Sequence, residues 1–283
     1  MIRLAVQAKG RLYDDSTALL KDAGVSFEES KRKLLSKSND FPVEILYLRD
    51  DDIPGAVASG VADIGIVGLN EVYEKKANVD IIHRMGFGKC RLSLAIPKSD
   101  DYFDIKWFND KRVATSYPVI LEDYFRQNGI KAMIQEISGS VEIAPSVGMA
   151  DAIFDIVSSG GTLVSNGLKE VEQVINSEAV LICTKGIVAD KLKIINQLLV
   201  RFEAVERSKG MKYLVINLPS SKIDRAVEIL PGMKSPTVMP LANSGWCSVH
   251  SVVNQSEIWE KIEKLKMIGA EDILVLSLDK MML

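Results

Sequence analysis

The 283-residue sequence contains only two histidines and three cysteines, which restricts the chemistry that it can perform. Neither His83 nor His250 has another histidine or a cysteine at metal-ligand spacing, so the sequence indicates neither His-dependent zinc chemistry nor a serine–histidine triad. Cys90, Cys183 and Cys247 lie far apart and form no Cys-x-x-Cys pair, so we expect small buried residues rather than disulfides or a thiolate metal site. Any catalysis must therefore use carboxylates, cationic side chains and backbone amides.

The sequence also lacks a long apolar run and a strong excess of either charge. Gln7 and Lys9 interrupt the N-terminus before an export-signal core can form, and no stretch approaches the ~18 uncharged apolar residues of a membrane span. We therefore expect a cytoplasmic protein with no membrane partner. A formal net charge of −3 with no basic stripe indicates that nucleic acid is not a partner.

Strand and helix patterns alternate over the first two thirds of the chain. Residues 2–7, 43–48 and 62–67 predict strands, each followed by a glycine or proline turn and a helical pattern. Residues 112–115 and 132–137 predict strands of a second set. This alternation indicates an α/β fold with largely parallel sheets.

The order of these patterns predicts three domains. Lobe I spans residues 1–90 and is completed by a return segment at 184–208, while lobe II spans residues 91–183 and carries a candidate phosphate loop. Together they form a two-lobed catalytic unit that resembles type II periplasmic binding proteins, with a ligand cleft between the lobes. Residues 209–283 form a third, C-terminal domain.

This C-terminal segment has the order βαββαβ, which is typical of a ferredoxin-like domain. Within its second helix Trp259, Ile262, Leu265 and Ile268 recur at i, i+3 spacing, which predicts a core stripe. The closing strand at 273–276 is continuously apolar, which predicts a central strand.

The segment from Glu142 to Leu163 is the most informative about chemistry. We predict a helix from Gly148 to Ser158, on which Asp151 and Asp155 share one face. Like charges at this spacing repel, which favours a use such as holding ribose hydroxyls or a magnesium-bound substrate.

The small residues Ser158, Ser159, Gly160, Gly161 and Thr162 follow, with backbone N–H groups that suit an anion-binding nest. A loop after a helix faces the negative end of the helix dipole, which opposes phosphate binding. Two exposed carboxylates and a glycine helix stop would give the same pattern, so from the residues alone both interpretations stay open.

The same segment follows the pattern E-x5-G-x-A-x2-I-x-D-x-V-x-S-G-x-T-L, with Gly161 as the variable position, and so resembles the signature of the ATP phosphoribosyltransferase family. Further segments resemble this family in the same order along the chain: Lys9–Leu12, Gly60–Gly68, Gly86–Leu92, Val113–Pro118 and Ser235–Leu241. The last segment and the βαββαβ tail imply the long form, which carries its own regulatory domain. One departure follows Gly68, where many members place an acidic residue within two positions. Here Leu69 and Asn70 precede Glu71, so the role of that carboxylate does not transfer.

The resemblance implies a reaction in which adenine N1 of ATP displaces pyrophosphate from C1 of phosphoribosyl pyrophosphate. The product is phosphoribosyl-ATP, at the head of histidine biosynthesis. The family carries Mg²⁺ with the substrate, without a dedicated protein site, and histidine acts as an allosteric inhibitor. It also implies a homo-oligomer, a hexamer with dimeric forms. Because the displacement separates charge, positioning and electrostatics matter more than a strong base.

By the same resemblance, three sets of residues carry binding and catalysis. Ser158, Ser159, Gly160, Gly161 and Thr162 hold the 5-phosphate, with Asp151, Asp155 and Glu142 near the ribose or metal. The contacts to ATP or other anions are Lys9, Arg11, Gly65, Gly68, Thr115 and Tyr117. The regulatory histidine site contains Thr237, Met239 and Leu241.

Three alternatives stay open at this point. Two α/β lobes around a cleft also describe non-catalytic binding modules, namely solute-binding proteins and the effector domains of transcription regulators. A phosphoribosyltransferase could also act on another base. The absence of an export signal and of a helix-turn-helix segment favours an enzyme over a binder. The Pro236–Pro240 segment could also be a proline-protected sheet edge that prevents aggregation.

Overall fold

We describe residues 1–28 and 34–282 of the chain from a computed structural model. The chain divides into two compact units, Met1–Gln197 and Leu198–Leu283. The first unit contains β1 (Ile2–Gln7), α1 (Arg11–Asp22), β2 (Leu35–Lys37), β3 (Val43–Leu48), α2 (Ile53–Ala58), β4 (Ile64–Gly68), α3 (Leu69–Glu74), β5 (Val79–Arg84), β6 (Cys90–Pro97), β7 (Arg112–Thr115), α4 (Pro118–Asn128), β8 (Met133–Glu136), β9 (Ala152–Val157), α5 (Gly161–Ser165), β10 (Leu168–Ser177) and β11 (Ala179–Thr184).

The first sheet of this unit has the strand order β2-β3-β1-β4-β11-β5. β1 runs parallel to β3 and β4, whereas β11 pairs antiparallel with β4 and β5. The first sheet therefore includes residues 179–183, which the sequence-based boundaries place in lobe II. α1 begins at Arg11, directly after Gly10, whose φ of 96° favours glycine.

The second sheet has the order β10-β6-β9-β7-β8 and contains the main difference from the sequence prediction. We expected a helix from Gly148 to Ser158, but Ala152–Val157 is the strand β9. β9 lies between β6 and β7, and Ala152, Ile153 and Phe154 are fully buried. A central strand is apolar on both faces, so it shows no clear period-2 alternation and can be mistaken for a helix.

The two sheets direct the ends of their parallel strands toward one cleft within the first unit. β1, β3 and β4 end near Gln7, Leu48 and Gly68, and the chain after β7 and β9 continues to Tyr117 and Ser158. These segments line the cavities described below. Ligands of α/β proteins commonly bind at the carboxyl ends of strands. The α/β prediction with two lobes around a cleft is confirmed.

The second unit is a ferredoxin-like domain, as predicted. The division at residue 197 falls within α6 (Ala189–Ser208), which precedes β12 (Met211–Pro219), α7 (Ile223–Ile229), β13 (Thr237–Pro240), β14 (Trp246–Asn254), α8 (Ile258–Met267) and β15 (Glu271–Ser277). The sheet has the order β13-β14-β12-β15. In the part of the chain that the structure describes, no helix is long and apolar enough to cross a membrane.

The closing strand was predicted to be central, which is wrong, and the predicted core stripe holds for Ile262, Leu265 and Ile268 but not for Trp259. β15 is an edge strand that pairs only with β12 in the described sheet, and Leu274, Val275 and Leu276 are exposed. Trp259 is 77% exposed, and the neighbouring Ile258 enters the core with Leu265. Hydrophobicity alone did not separate an apolar side chain that packs inside the domain from one that lies on its surface.

Candidate active site

The cleft contains a cavity of about 400 Å³ between the two lobes of the first unit. Its polar and charged lining comes from both lobes. The lining residues are Gln7, Gly10, Arg11, Leu12, Asp15, Asp50, Gly68, Asn70, Glu71, Gly88, Lys89, Cys90, Tyr117, Ile156, Ser158 and Ala179. Cys90 is half-buried at this surface, whereas Cys183 and Cys247 are buried as expected.

A smaller cavity of about 200 Å³ surrounds the loop after β9. It is lined by Arg11, Glu142, Asp155, Ile156, Val157, Ser158, Ser159, Gly160, Thr162 and Leu163. Arg11, Ile156 and Ser158 line both cavities, so the two cavities adjoin at these residues. One ligand, or two reacting ligands, can therefore extend from the loop into the cleft.

The loop that lines this smaller cavity contains unpaired backbone donors. In the described part of the chain, the N–H groups of Ser159, Gly160 and Thr162 donate to no protein acceptor. Gly160 has φ 80°, a conformation that side chains other than glycine rarely adopt. Because the loop follows a strand and precedes α5, the unfavourable helix dipole expected from the sequence is absent.

Arg91 holds this loop in position. Its Nη1 donates a 3.1 Å hydrogen bond to the carbonyl of Ser158, while Nε and Nη2 each donate a 2.6 Å bond to the carboxylate of Glu170. A forked pair of this kind fixes the guanidinium plane. Arg91 therefore stabilises the loop through its hydrogen bond to Ser158, although it does not line the cavity.

The structure separates the two aspartates that the sequence pairs on one helix face. Asp155 lies on β9 and lines the loop cavity with Glu142. Burial, and secondly the nearby Glu142 carboxylate, raise the pKa of Asp155 to about 6 against the opposing N–H of Ile156. Asp151 lies before the strand, where it accepts bonds from the backbone and side chain of Arg112.

A second polar cluster lies deeper in the cleft, around Glu71. Its side chain is only 6% exposed and accepts a 2.9 Å hydrogen bond from Nδ2 of Asn70. The same Nδ2 lies 3.3 Å from the Tyr117 hydroxyl, which accepts from it. Burial and then the Asp50 charge raise the pKa of Glu71 to about 7. Burial and the Glu71 carboxylate also raise the pKa of Tyr117.

The partners of Glu71 are themselves held in place. The Ser177 hydroxyl donates a 2.8 Å hydrogen bond to Oδ1 of Asn70, and the Thr115 hydroxyl accepts a 2.8 Å bond from the Tyr117 N–H. A side chain at Gly68 would collide with the Asn70 side-chain oxygen. Glycine is therefore required at this position for the cluster to form.

The cleft brings together some of the predicted nucleotide contacts but not all of them. Arg11, Gly68 and Tyr117 line the larger cavity. Lys9 is exposed outside both cavities, and Thr115 is buried behind Tyr117. Gly65 packs under α2, where an added Cβ would lie 2.7 Å from Ile53, so its glycine is explained by packing inside lobe I.

Sequence reasoning missed four residues at this site: Asp50, Glu71, Lys89 and Arg91. Lys89 and Arg91 lie in the Gly86–Leu92 segment and Glu71 follows Gly68, but no spacing rule assigned them a role. Asp50 lies in the turn after β3, where no sequence pattern marks it as a site residue. Their proximity depends on the packing of strand ends that lie far apart in sequence.

The predicted regulatory residues lie at one edge of the second unit. Thr237 and Met239 are exposed on β13, the edge strand beside β14, and Leu241 follows directly. The pairing places Thr237 opposite His250 and Met239 opposite Ser248. The expected sheet edge is therefore present at this position.

The described residues contain no group of three or more His, Cys, Asp or Glu side chains that could hold a metal ion. Asp155 and Glu142 nevertheless offer carboxylate oxygens to the loop cavity. Mg²⁺ commonly binds one or two carboxylates together with substrate phosphate oxygens and water. The residues present fit a metal of this kind, with most of its ligands from the substrate.

Family models match both units of the chain. A model described as ATP phosphoribosyltransferase matches residues 49–204, and one described as HisG, C-terminal domain, matches residues 208–280. An ATP phosphoribosyltransferase of Bacteroides fragilis is 55% identical over 283 residues, which is 100% of both chains. One of Parabacteroides distasonis is 57% identical over 281 residues, 99% of each chain.

Solved structures agree with this similarity. The ATP phosphoribosyl transferase (HisG:HisZ) complex from Thermotoga maritima aligns with a TM-score of 0.62 and 28% identity, over 72% of this chain and 99% of that one. A substrate binding protein of an amino acid ABC transporter aligns with a TM-score of 0.51 at 13% identity, over 74% of this chain and 94% of that one. The second likeness concerns the fold alone.

Proposed function

The chain belongs to the ATP phosphoribosyltransferase family and catalyses the reaction of that family, and from this premise we propose how its residues divide the work. ATP and phosphoribosyl pyrophosphate are condensed to phosphoribosyl-ATP and pyrophosphate, the first step of histidine biosynthesis. The residue assignment rests on one observation: the loop cavity and the larger cavity share the lining residues Arg11, Ile156 and Ser158.

In this proposal the loop Ser158–Thr162 binds the 5-phosphate of phosphoribosyl pyrophosphate. The unpaired N–H groups of Ser159, Gly160 and Thr162 support this assignment, because backbone N–H groups without a protein acceptor can bind phosphate oxygens. Arg91 fixes the loop through Ser158, and Arg11 contributes positive charge where the cavities join. Gly160, in the left-handed conformation, allows the chain to turn directly into α5, which begins at Gly161.

Asp155 and Glu142 then lie beside the ribose. The ribose carbon becomes more positive as pyrophosphate leaves, so a nearby carboxylate stabilises the transition state. The two side chains also have the chemistry to complete the coordination of a Mg²⁺ ion bound to substrate oxygens, and the ion would neutralise the leaving group. Asp151 takes no direct part, because Arg112 occupies its carboxylate.

The larger cavity receives ATP. Gly68 and Tyr117 form part of its wall, and Lys89 and Arg11 supply positive charge for the triphosphate. In this arrangement the two lobes position the adenine N1 against C1 of the ribose, and such positioning supplies much of the rate enhancement in displacements without a strong base.

The C-terminal unit is proposed as a sensor for histidine. Support comes from the edge strand β13, where Thr237 and Met239 are exposed beside unpaired backbone groups, followed by Leu241. Histidine would act by favouring one of two conformations, so histidine and substrate would alter each other's affinity reciprocally.

We also propose a homo-oligomer, with a hexamer and dimeric forms. The exposed apolar side chains of β15 support self-association, since monomeric proteins rarely leave apolar edge strands uncovered. The relative from Thermotoga maritima is itself described as a complex. Equilibrium sedimentation at several protein concentrations tests this assembly, and a monomer throughout would rule it out.

The experiment that tests the reaction compares bases. Pyrophosphate release should occur with phosphoribosyl pyrophosphate plus ATP, and should be absent with free adenine, guanine or uracil in place of ATP. Release with a free nucleobase but not with ATP would assign the chain to a different phosphoribosyltransfer. No release with any acceptor would favour a non-catalytic binding protein.

A further inference from the structure

Glu71 is a buried carboxylate that forms no salt bridge with any cation among the described residues. The hydrogen bond that its carboxylate accepts comes from the neutral Asn70 amide, which also donates to the Tyr117 hydroxyl. A carboxylate taken out of water without a cationic partner is costly to the folded protein. Groups held at such a cost in a cleft are often retained because a ligand uses them.

The groups around Glu71 do not remove this cost. Asp50 and Asp51, in the turn after β3, add negative charge, and Lys75, next to its own helix α3, offsets this only in part. Tyr117, directly before α4, faces Glu71 from the other lobe. The negative charges of Asp155 and Asp50 also raise the pKa of the Tyr117 hydroxyl. This part of the cleft therefore attracts a hydrogen-bond donor that carries or gains positive charge.

The position of Glu71 indicates which part of a ligand it meets. Arg11 and Ser158 line both cavities, whereas Glu71 lines only the larger one. If the loop binds the phosphoribosyl group, Glu71 faces the other substrate. Asn70 uses one of the roughly four acceptor positions of the carboxylate, so acceptor capacity remains for a ligand.

We propose that Glu71 determines specificity for the base: its carboxylate accepts a hydrogen bond from the 6-amino group of adenine and balances the positive charge that adenine gains during the reaction. This inference rests on the proposed placement of ATP in the larger cavity. Asn70 and Tyr117 act as positioning residues that hold the carboxylate in a fixed orientation.

The chemistry of the transfer explains why a carboxylate is useful there. The lone pair of adenine N1 forms the new bond to C1 of the ribose, and the bond from C1 to the pyrophosphate oxygen breaks with its electron pair. Adenine is then positive, and the charge is shared between N1 and the adjacent 6-amino nitrogen. A carboxylate that accepts from this amino group gains strength as the charge develops, which favours the transition state over the bound substrate.

The test compares ATP with purine riboside triphosphate, which lacks the 6-amino group, in the full-length enzyme. The measurements are kcat/KM for ATP and the Ki of purine riboside triphosphate as a competitor of ATP, both at saturating phosphoribosyl pyrophosphate. We expect Glu71→Gln to lower kcat/KM for ATP by about tenfold to hundredfold, the loss typical of one charged hydrogen bond. The Ki of the analogue should change by less than about threefold, since it offers no 6-amino donor.

Glu74→Gln is the matched control, because Glu74 is a second buried carboxylate on α3 that binds backbone N–H groups of α4 instead of facing the cleft. Glu74→Gln should not change kcat/KM for ATP relative to the Ki of purine riboside triphosphate. Equal weakening of ATP and the analogue by Glu71→Gln, or a kcat/KM for ATP within threefold of the parent, would overturn the inference. The inference would also be overturned if Glu74→Gln lowered kcat/KM for ATP relative to the Ki of the analogue as much as Glu71→Gln does. The loop assignment is tested separately through KM for phosphoribosyl pyrophosphate, so either proposal can fail without the other.

Discussion

The carboxylate of Glu74, at the end of α3, accepts a 3.0 Å hydrogen bond from the backbone N–H of Val119 in the first turn of α4. Its second oxygen accepts a 3.0 Å bond from the N–H of Ile120. The residue before α4, Tyr117, provides no side-chain cap of its own. A carboxylate of one lobe therefore caps a helix of the other, where the positive end of the helix dipole favours it.

This cap should contribute measurably to stability. Glu74→Ala should lower the free energy of unfolding by about 1–3 kcal/mol, because it removes two charged hydrogen bonds and leaves two N–H groups of α4 unpaired. Urea denaturation followed by circular dichroism measures the change. Glu122→Ala, at an exposed position on α4, should change stability by less than about 0.5 kcal/mol. Equal effects would mean that the cap contributes nothing specific.

Glu71 should make the unliganded protein less stable at alkaline pH. Its pKa rises on folding from the ordinary value of 4.5 to about 7, so the folded state binds more protons between these limits. The stability it contributes is complete below pH 4.5 and is lost as the pH rises through about 7. At pH 8 Glu71→Gln should therefore raise the free energy of unfolding by about 1–3 kcal/mol.

The comparison of the Glu71→Gln variant with the parent over pH 5 to 8 checks the sign. In thermal unfolding without ligand, the difference in Tm between the two proteins should shrink as the pH falls and grow as the pH rises. A Tm difference that stays constant over this range, or that grows toward pH 5, would contradict the burial of an ionisable carboxylate at this position.

Asp155 and Asp151 should respond differently to the same substitution. Asp155→Asn should lower kcat at least about tenfold with Mg²⁺ saturating, because it removes negative charge beside the ribose. Asp151→Asn should leave kcat within about threefold and lower stability by no more than about 1 kcal/mol, since its partly exposed pair with Arg112 is structural. Steady-state kinetics of both variants test this contrast. Similar losses of kcat would mean that both aspartates act near the ribose or metal, as expected from the sequence.

Histidine inhibition should depend on the β13 edge. Thr237→Arg should raise the histidine concentration for half-inhibition at least about tenfold, with kcat in the absence of histidine unchanged. Glu271→Arg, at an exposed position on the opposite edge strand β15, provides the control and should leave inhibition as it is. If only the control variant loses inhibition, the sensor lies at the other edge of the sheet.

The sequence predicted the elements that local patterns determine. β1 and β3 were placed correctly, as was the βαββαβ order of the second unit, because turns and apolar periodicity mark these elements directly. The loop Ser158–Thr162 was also found at the sequence level, from its small residues and the family pattern. Its cavity is consistent with the proposed role.

Elements whose surroundings decide their structure could not be predicted in this way. Ile153 and Phe154 suit a helix as well as a strand, and only pairing with β6 and β7 makes β9 a strand. The apolar β15 could not be assigned to an edge without its pairing partners. Glu71 acquires its properties from Asn70, Tyr117 and Asp50, which meet only when the lobes fold together.

The central claim is that the loop after β9 binds the phosphoribosyl substrate, and the kinetics of Gly160→Val test it most directly. Gly160 has φ 80°, so valine would distort the loop and its free N–H groups. Gly129→Val, at φ 67° after α4 and away from both cavities, imposes a similar backbone strain as a control. With each variant, KM is measured for both substrates by pyrophosphate release. We expect Gly160→Val to raise KM for phosphoribosyl pyrophosphate at least about tenfold while KM for ATP changes less than about threefold. Gly129→Val should not change one KM more than the other. An equal rise of both KM values in Gly160→Val, or a selective rise for ATP, would contradict the central claim.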